Sequence, residues 1–344
     1  ISCSLVGSEM CIRDRFSMLV IWVHSYNAVL FLGGTKAAYQ ADYMERFLGN
    51  TVAQMAVPGF FLISSYLFFR TFTIERIWQK WNSRIRSILV PYIVWNFLYY
   101  IGYAAGSRIP VLSQIIGKGR IPFTINQAAG AVLHYTYNYV FWYLYQLILL
   151  VLFAPLIYFF IRRKITGILF LSGLFAAIYM GWNLPFVNLD AMFYYSFGGF
   201  AAIHAKEAAE SVWSRKKFFL GIFLVIAALF LYKFDFPGEA KGEMAASAVI
   251  FRLFVPLSLW LAVPEKYLFP AEGYMSQNFF LYALHFAIVR LINKTGAFLL
   301  PSVPLIPLII FLAMPAVCVC ISYQISRLLR RFLPRIWYLL NGGR

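Results

Sequence analysis

The chain has 344 residues, 62% of them hydrophobic and 12% charged, with a formal net charge of +17. Its charged fraction is about half that of a soluble domain, and a soluble fold of this length could not hide so much apolar surface. A water-soluble protein is excluded, and with no soluble basic domain to carry it the positive balance does not indicate nucleic acid.

Apolar runs of helix-spanning length recur along the whole sequence. Ten are read, at 16–33, 52–70, 87–105, 141–161, 165–181, 189–204, 216–233, 248–264, 277–293 and 304–326. They predict an all-α polytopic membrane protein, a bundle of about ten transmembrane helices. An even count puts both termini on one side, and that side then carries 20 of the 30 Lys and Arg residues. Positive charge collects in the cytoplasm, so both termini are predicted there. Anionic membrane lipids are the expected contacts of this charge.

The first residues, ISCSLVGSEMCIRDR, read as neither a signal peptide nor a span. They resemble the translation of a sequencing-library adapter. Residues 1–15 are therefore expected to be a non-native N-terminus, and 16–344 a single transmembrane domain without internal repeats.

The first run, FSMLVIWVHSYNAVLFLGG, places His24 in the depth range of a bilayer. An ionisable side chain there is costly to bury and is by default a functional-site candidate. Imidazole is also well suited to take a proton from a hydroxyl near neutral pH. Arg13 stands eleven positions earlier, about three helical turns and roughly 16 Å along the same face. Such a pair could hold a phosphate at the cytoplasmic mouth and a reacting group at depth.

Lys80, Arg84 and Arg86 stand just before the third run, in TFTIERIWQKWNSRIRSILVPYIVWN. Arginines at a helix entrance suit the phosphates of a nucleotide-like cofactor, although the charge rule alone would also place them there. The polar stretch 106–140, with its Gly, Pro and Asn, reads as an outer, re-entrant loop. His285 lies eight residues into the ninth run, as His24 lies eight into the first. Both then sit roughly 12 Å from the cytoplasmic face, compatible with one shared cavity. A hydrogen bond to a neighbouring carbonyl would explain each histidine equally simply.

His134 and His204 fall in or beside loops, without an expected catalytic role. All thirteen acidic residues read as loop or span-edge positions, Asp190 being nearest to membrane depth. This speaks against ion-coupled transport, which needs an intramembrane carboxylate, and removes paired-carboxylate hydrolysis. Cys318 and Cys320 are two apart in an apolar helix and point to different faces, so packing is expected rather than a disulfide or a metal site.

Four pieces in order, MLVIWVHSYN, VPGFFLISSYLFFR, RIRSILVPYIVWN and QNFFLYALHFAIVRLI, resemble the acyltransferase-3 family of integral membrane O-acyltransferases. FWYLYQLILLVLFAPLIY is similar to that family's fourth segment, with Trp142 and Tyr143 in its tryptophan-aromatic pair. The resemblance implies a ten-helix core that moves an acyl group, usually acetyl, from coenzyme A to a hydroxyl of a sugar or other envelope component. Arg13 and His24 fit the family's basic residue and essential histidine, Arg84 and Arg86 its basic pair, and His285 its second histidine. Ser64-Ser65-Tyr66 stands where Ser-Gly-Tyr is common, and Val140 where many relatives carry a histidine.

The implied reaction docks acetyl-coenzyme A as acyl donor at Arg13, Lys80, Arg84 and Arg86, with His24 as general base or acyl relay and no metal. An ordinary imidazole pKa of about 6.5 leaves His24 neutral at pH 7. Tyr26, Asn27, Ser64, Tyr92, Asn96, Trp142, Gln146 and His285 are the expected pocket residues, with packing or interhelical hydrogen bonding as their ordinary role. The partner is a glycan, and the location implied is a bacterial plasma membrane. An exporter or flippase for a polysaccharide or lipid-linked sugar is the alternative, followed by an unrelated lipid-modifying O-acyltransferase.

Overall fold

The structure, a computed structural model, describes residues 15–234, 246–264 and 277–343; Arg13 lies outside them. Among the described residues all regular structure is helical. Lipid offers no partner for a free backbone N–H or C=O, so helices that close their own hydrogen bonds are the form open to such apolar segments.

The helices are α1 (15–24), α2 (Ala28–Leu32), α3 (Lys36–Arg46), α4 (Ala56–Phe69), α5 (Ile77–Arg84), α6 (Val90–Gly106), α7 (Pro110–Ile116), α8 (Ile125–Leu133) and α9 (Trp142–Leu152). Then follow α10 (Ala154–Ile161), α11 (Lys164–Tyr179), α12 (Leu189–His204), α13 (Lys206–Glu210), α14 (Arg215–Phe234), α15 (Ala246–Ala262), α16 (Asn278–Leu299), α17 (Leu305–Phe332) and α18 (Pro334–Leu340). Side-chain oxygens of Thr35, Thr124 and Asn188 cap α3, α8 and α12 by accepting from backbone N–H groups three residues on.

Every expected run holds a helix, but length and apolarity together qualify fewer as spans. Among the described residues Arg15–Leu32, Lys36–Phe69, Ile74–Gly106 and Leu305–Phe332 are long and apolar enough to cross a membrane, and Tyr139–Leu152 with Ala154–Ile161, bent by 64°, is a fifth only if the pair is one broken span rather than a re-entrant loop. Lys164–Tyr179 and Ser247–Ala262 are apolar but shorter. Sixteen residues rise about 24 Å, less than the hydrocarbon thickness of about 30 Å. The stretch 106–140 contains two short helices, α7 and α8.

The described residues form two compact units. One draws on Gln54–Trp81 and the described part of Gln146–Glu272, with Phe16. Its α4 and α12 touch backbone to backbone at Gly198, where an added Cβ would come within 2.4 Å of the Leu62 carbonyl oxygen. Close approach through small residues is how membrane helices gain van der Waals contact where lipid supplies no hydrophobic drive. Arg70 pairs with Glu210 at 2.7 Å, and the Tyr66 hydroxyl donates to the same carboxylate at 2.9 Å.

The other unit comprises Ser17–Ala53, Asn82–Tyr145 and the described part of Gly273–Arg344. Ile21, Ile288, Val289, Met314 and Cys318 form one core of it, and Ala28, Phe31, Leu32, Ala38 and Ala41 another. Cys318 is buried and Cys320 exposed, on opposite faces of α17. The Tyr99 hydroxyl donates to the Ala283 carbonyl, and Trp95 Nε1 to that of Leu340, each at 2.9 Å, tying α6 to α16 and α18.

Glu45 lies on α3, near the start of the long helical stretch Lys36–Phe69, and is 0% exposed. The surrounding KAAYQADYMER has low apolarity, and α3 continues through a π-helical turn, Phe47–Val52, toward α4.

Candidate active site

His24 is the last residue of α1, and the helix breaks directly after it at residues 25–27. Ser and Asn favour such a break because their side chains compete for backbone hydrogen bonds. The loosened backbone is held from three sides. Ser25 Oγ donates to the Ile21 carbonyl at 2.5 Å. Glu45 Oε2 accepts from the N–H groups of Asn27 at 2.9 Å and Ala28 at 3.2 Å. Asn293 Nδ2 donates to the Ser25 carbonyl, and its Oδ1 accepts from Asn27 Nδ2, both at 3.1 Å. His24 thus stands at a discontinuity whose polar groups are largely met by protein.

Around the ring, His24 Nδ1 lies 2.7 Å from the Tyr139 hydroxyl. The His285 ring centroid is 5.6 Å away and that of Phe286 6.2 Å. His285 is 1% exposed, and its Nδ1 lies 2.6 Å from the Tyr282 carbonyl. A carbonyl can only accept, so that nitrogen carries the proton, and a neutral His285 keeps its lone pair on Nε2. Nε2 is buried without a partner among the described residues. Tyr139 opens a 3₁₀ turn, Tyr139–Phe141, which the Tyr282 hydroxyl holds by donating to the Val140 carbonyl at 2.5 Å. Phe141 stacks on Tyr282 at 5.6 Å. His24 is only partly buried and Tyr139 is 49% exposed, so this side of the pair is accessible.

The remaining expected residues divide. Asn27 belongs to the break, as above. Tyr26 donates to Asn50 Oδ1 at 3.0 Å, stacks on Phe311, and needs Gly49, whose Cβ would collide with its hydroxyl at 1.9 Å. Tyr92 is buried with its hydroxyl on the Val132 carbonyl, and Asn96 Nδ2 bonds the Tyr92 carbonyl, leaving its own Oδ1 unmet. Trp142 begins α9, half-buried. Arg84 closes α5, and exposed Arg86 lies in the π-helical turn Ile85–Leu89. Ser64, Lys80 and Gln146 belong to the first unit. There Lys80 Nζ caps the Phe68 carbonyl at 2.5 Å, while Gln146 braces the approach to α12 through Phe186 and Asn188. The two histidines are brought together within the second unit.

An acyltransferase domain model matches residues 16–326. The chain belongs to the acyltransferase-3 family. A curated relative, the succinoglycan biosynthesis protein ExoH of Rhizobium meliloti (strain 1021), is 25% identical over 319 residues, covering 88% of this chain and 83% of the relative. No solved structure matches.

The protein is therefore an O-acyltransferase, a membrane enzyme with several apolar helices. Three of the residues that shape this acyltransferase's histidine pair are absent from the sequence-based expectations: Tyr139, Glu45 and Asn293. Asn293 was legible as a polar residue at the edge of the ninth run, eight positions after His285. Tyr139 carried no signal among 23 tyrosines.

Proposed function

We propose that the enzyme transfers an acetyl group from coenzyme A to a hydroxyl of a cell-envelope glycan at a bacterial plasma membrane. The polysaccharide class is supported by the relative's role in succinoglycan biosynthesis. Ten spans with both termini in the cytoplasm are supported by the ten apolar runs and the two-to-one bias of Lys and Arg. Coenzyme A docks from the cytoplasm, its phosphates met by Arg84, Arg86 and Lys80. The chain from residue 16 onward acts as the catalytic domain.

In the reaction, His24 Nδ1 donates to the Tyr139 hydroxyl, which leaves the lone pair on Nε2. Nε2 removes the proton of the acceptor hydroxyl as its oxygen bonds to the thioester carbonyl carbon. The C–S bond then breaks, and the departing thiolate takes the proton from the His24 imidazolium. An ester and free coenzyme A result. His285, held with Nδ1–H on a carbonyl, keeps a neutral ring against which the transient charge forms. The carrying observation is the 2.7 Å contact between His24 Nδ1 and Tyr139 on a partly exposed imidazole whose other nitrogen has no hydrogen bond among the described residues.

Membranes expressing wild type and His24→Ala at matched level, given radiolabelled acetyl-coenzyme A and envelope glycan, test the reading. Label enters glycan with wild type only, a loss of about 10²–10⁴-fold for a general base. Equal label in both removes His24 from the chemistry. Label on the protein itself before acceptor is added, released by neutral hydroxylamine and absent from His24→Ala, would favour the acyl relay over direct attack.

A further inference from the structure

Beyond the histidine pair, α16 carries a second set of groups. Arg290 and Lys294 follow His285 by five and nine residues, about 7.5 and 13.5 Å along the helix axis. The Arg290 guanidinium lies 5.6 Å from the Phe286 ring centre, and that ring packs edge-on against Tyr139 at 4.6 Å. Arg290 and Lys294 are four residues apart on α16 and so are neighbours on one helix face. Lys118 Nζ stands 5.7 Å from the Tyr103 ring centre and 5.2 Å from that of Tyr137. Lys294 Nζ bonds the Ile115 carbonyl and lies 3.8 Å from where a Cβ on Gly117 would stand, next in sequence to Lys118.

Arg290 thus stands on the Phe286 ring that packs against Tyr139, Lys294 lies four residues further along α16, and Lys118, against two tyrosine faces, follows the Gly117 that Lys294 approaches. None of them forms an ion pair with a carboxylate among the described residues. Like charges so placed repel, and a protein keeps them together when an anion completes the set. The charge rule does not call for them, since all three fall among the ten basic residues on the side assigned to the exterior. Lys118 is exposed and Arg290 and Lys294 are partly exposed, so a ligand can reach each of them.

We infer that the acceptor is an anionic glycan, whose carboxylate is bound by Arg290, Lys294 and Lys118 while Tyr103 and Tyr137 line its sugar rings. This rests on the acyl-transfer reading and names its substrate class. A guanidinium and two ammonium groups fit a uronate or another acid-bearing sugar and discriminate against a neutral one. The phosphate of a lipid headgroup shares the chemistry, so the test separates the two.

Purified full-length protein in discs of phosphatidylcholine alone is given a hexuronate oligosaccharide or its carboxyl-reduced counterpart, and binding is measured by calorimetry. The uronate binds at least about tenfold more tightly, and the preference shrinks as salt rises. Arg290→Gln with Lys294→Gln abolishes the preference, whereas Arg290→Lys keeps most of it. With acetyl-coenzyme A added, the double variant raises KM for the acidic acceptor and leaves kcat near wild type. Equal binding of both sugars, binding of neither, or a preference that survives the double variant overturns the inference. So does uronate binding that is absent in neutral discs while the variants lose affinity for discs containing phosphatidylglycerol, which would assign the cations to headgroups. Loss of acetyl transfer to every acceptor, with uronate binding intact, would instead count against the acyl-transfer reading alone.

Discussion

Glu45 Oε2 accepts from the backbone N–H of Asn27 at 2.9 Å, joining a fully buried carboxyl on α3 to the helix break that ends at His24's own turn. Backbone groups exposed by a break in an apolar region are expensive, and one side chain satisfies two of them. Glu45→Ala leaves both N–H groups unmet and is expected to lose about 1–3 kcal/mol, read as a lower Tm in detergent. Its turnover falls more than its affinity for donor, because the His24 ring loses its support. Glu45→Gln keeps an oxygen that can accept from the Asn27 and Ala28 N–H groups. It retains most of both properties. A wild-type Tm and rate for the alanine variant would show that the break is held without this carboxyl.

Asn293 serves the same break from α16, so its replacement should couple to that of Glu45. Asn293→Leu preserves bulk but leaves the Ser25 carbonyl and the Asn27 amide unmet. In a double-mutant cycle with Glu45→Ala, the two losses are expected to differ from additivity by about 0.5 kcal/mol or more. Strict additivity would place the two residues in independent supports.

Tyr139→Phe removes one oxygen and keeps the ring edge against Phe286. Stability should stay near wild type, while kcat falls about tenfold through loss of the hydrogen bond that orients His24. Donor affinity is unchanged. If kcat is kept, the contact is incidental to the chemistry.

Gly198→Ala tests the first unit. The new methyl would stand 2.4 Å from the Leu62 carbonyl oxygen and 3.0 Å from its Cα, and backbone cannot swing aside as a side chain does. Separation of α4 and α12 is expected to cost about 1–3 kcal/mol. Gly173→Ala, where nothing lies within 4 Å of the added carbon, is the neutral control. Equal Tm for both variants would contradict the close helix approach.

The helices were legible because their cause is local. A run such as LIPLIIFLAMPAVCVC can satisfy its backbone in lipid as a helix, and α17 spans it as expected. His24 and His285 were legible as polar exceptions inside such runs. Their meeting at 5.6 Å was only compatible with equal depth, since the partner of a helix face is not written in that face. Glu45 was missed for the opposite reason: it sits among polar neighbours in KAAYQADYMER, and hydropathy cannot tell such a segment from a surface loop.

Local apolarity and charge by themselves determined that this protein is helical, membrane-borne and asymmetric in its basic residues. Motif order determined its family, and the isolated histidines pointed to its chemistry. Only tertiary structure decided that α1 breaks at His24, that Glu45 and Asn293 hold the break, and that Tyr139, 115 residues away, reaches the imidazole. Those contacts depend on how distant helices pack, and many sequences with the same runs of apolar residues could pack otherwise.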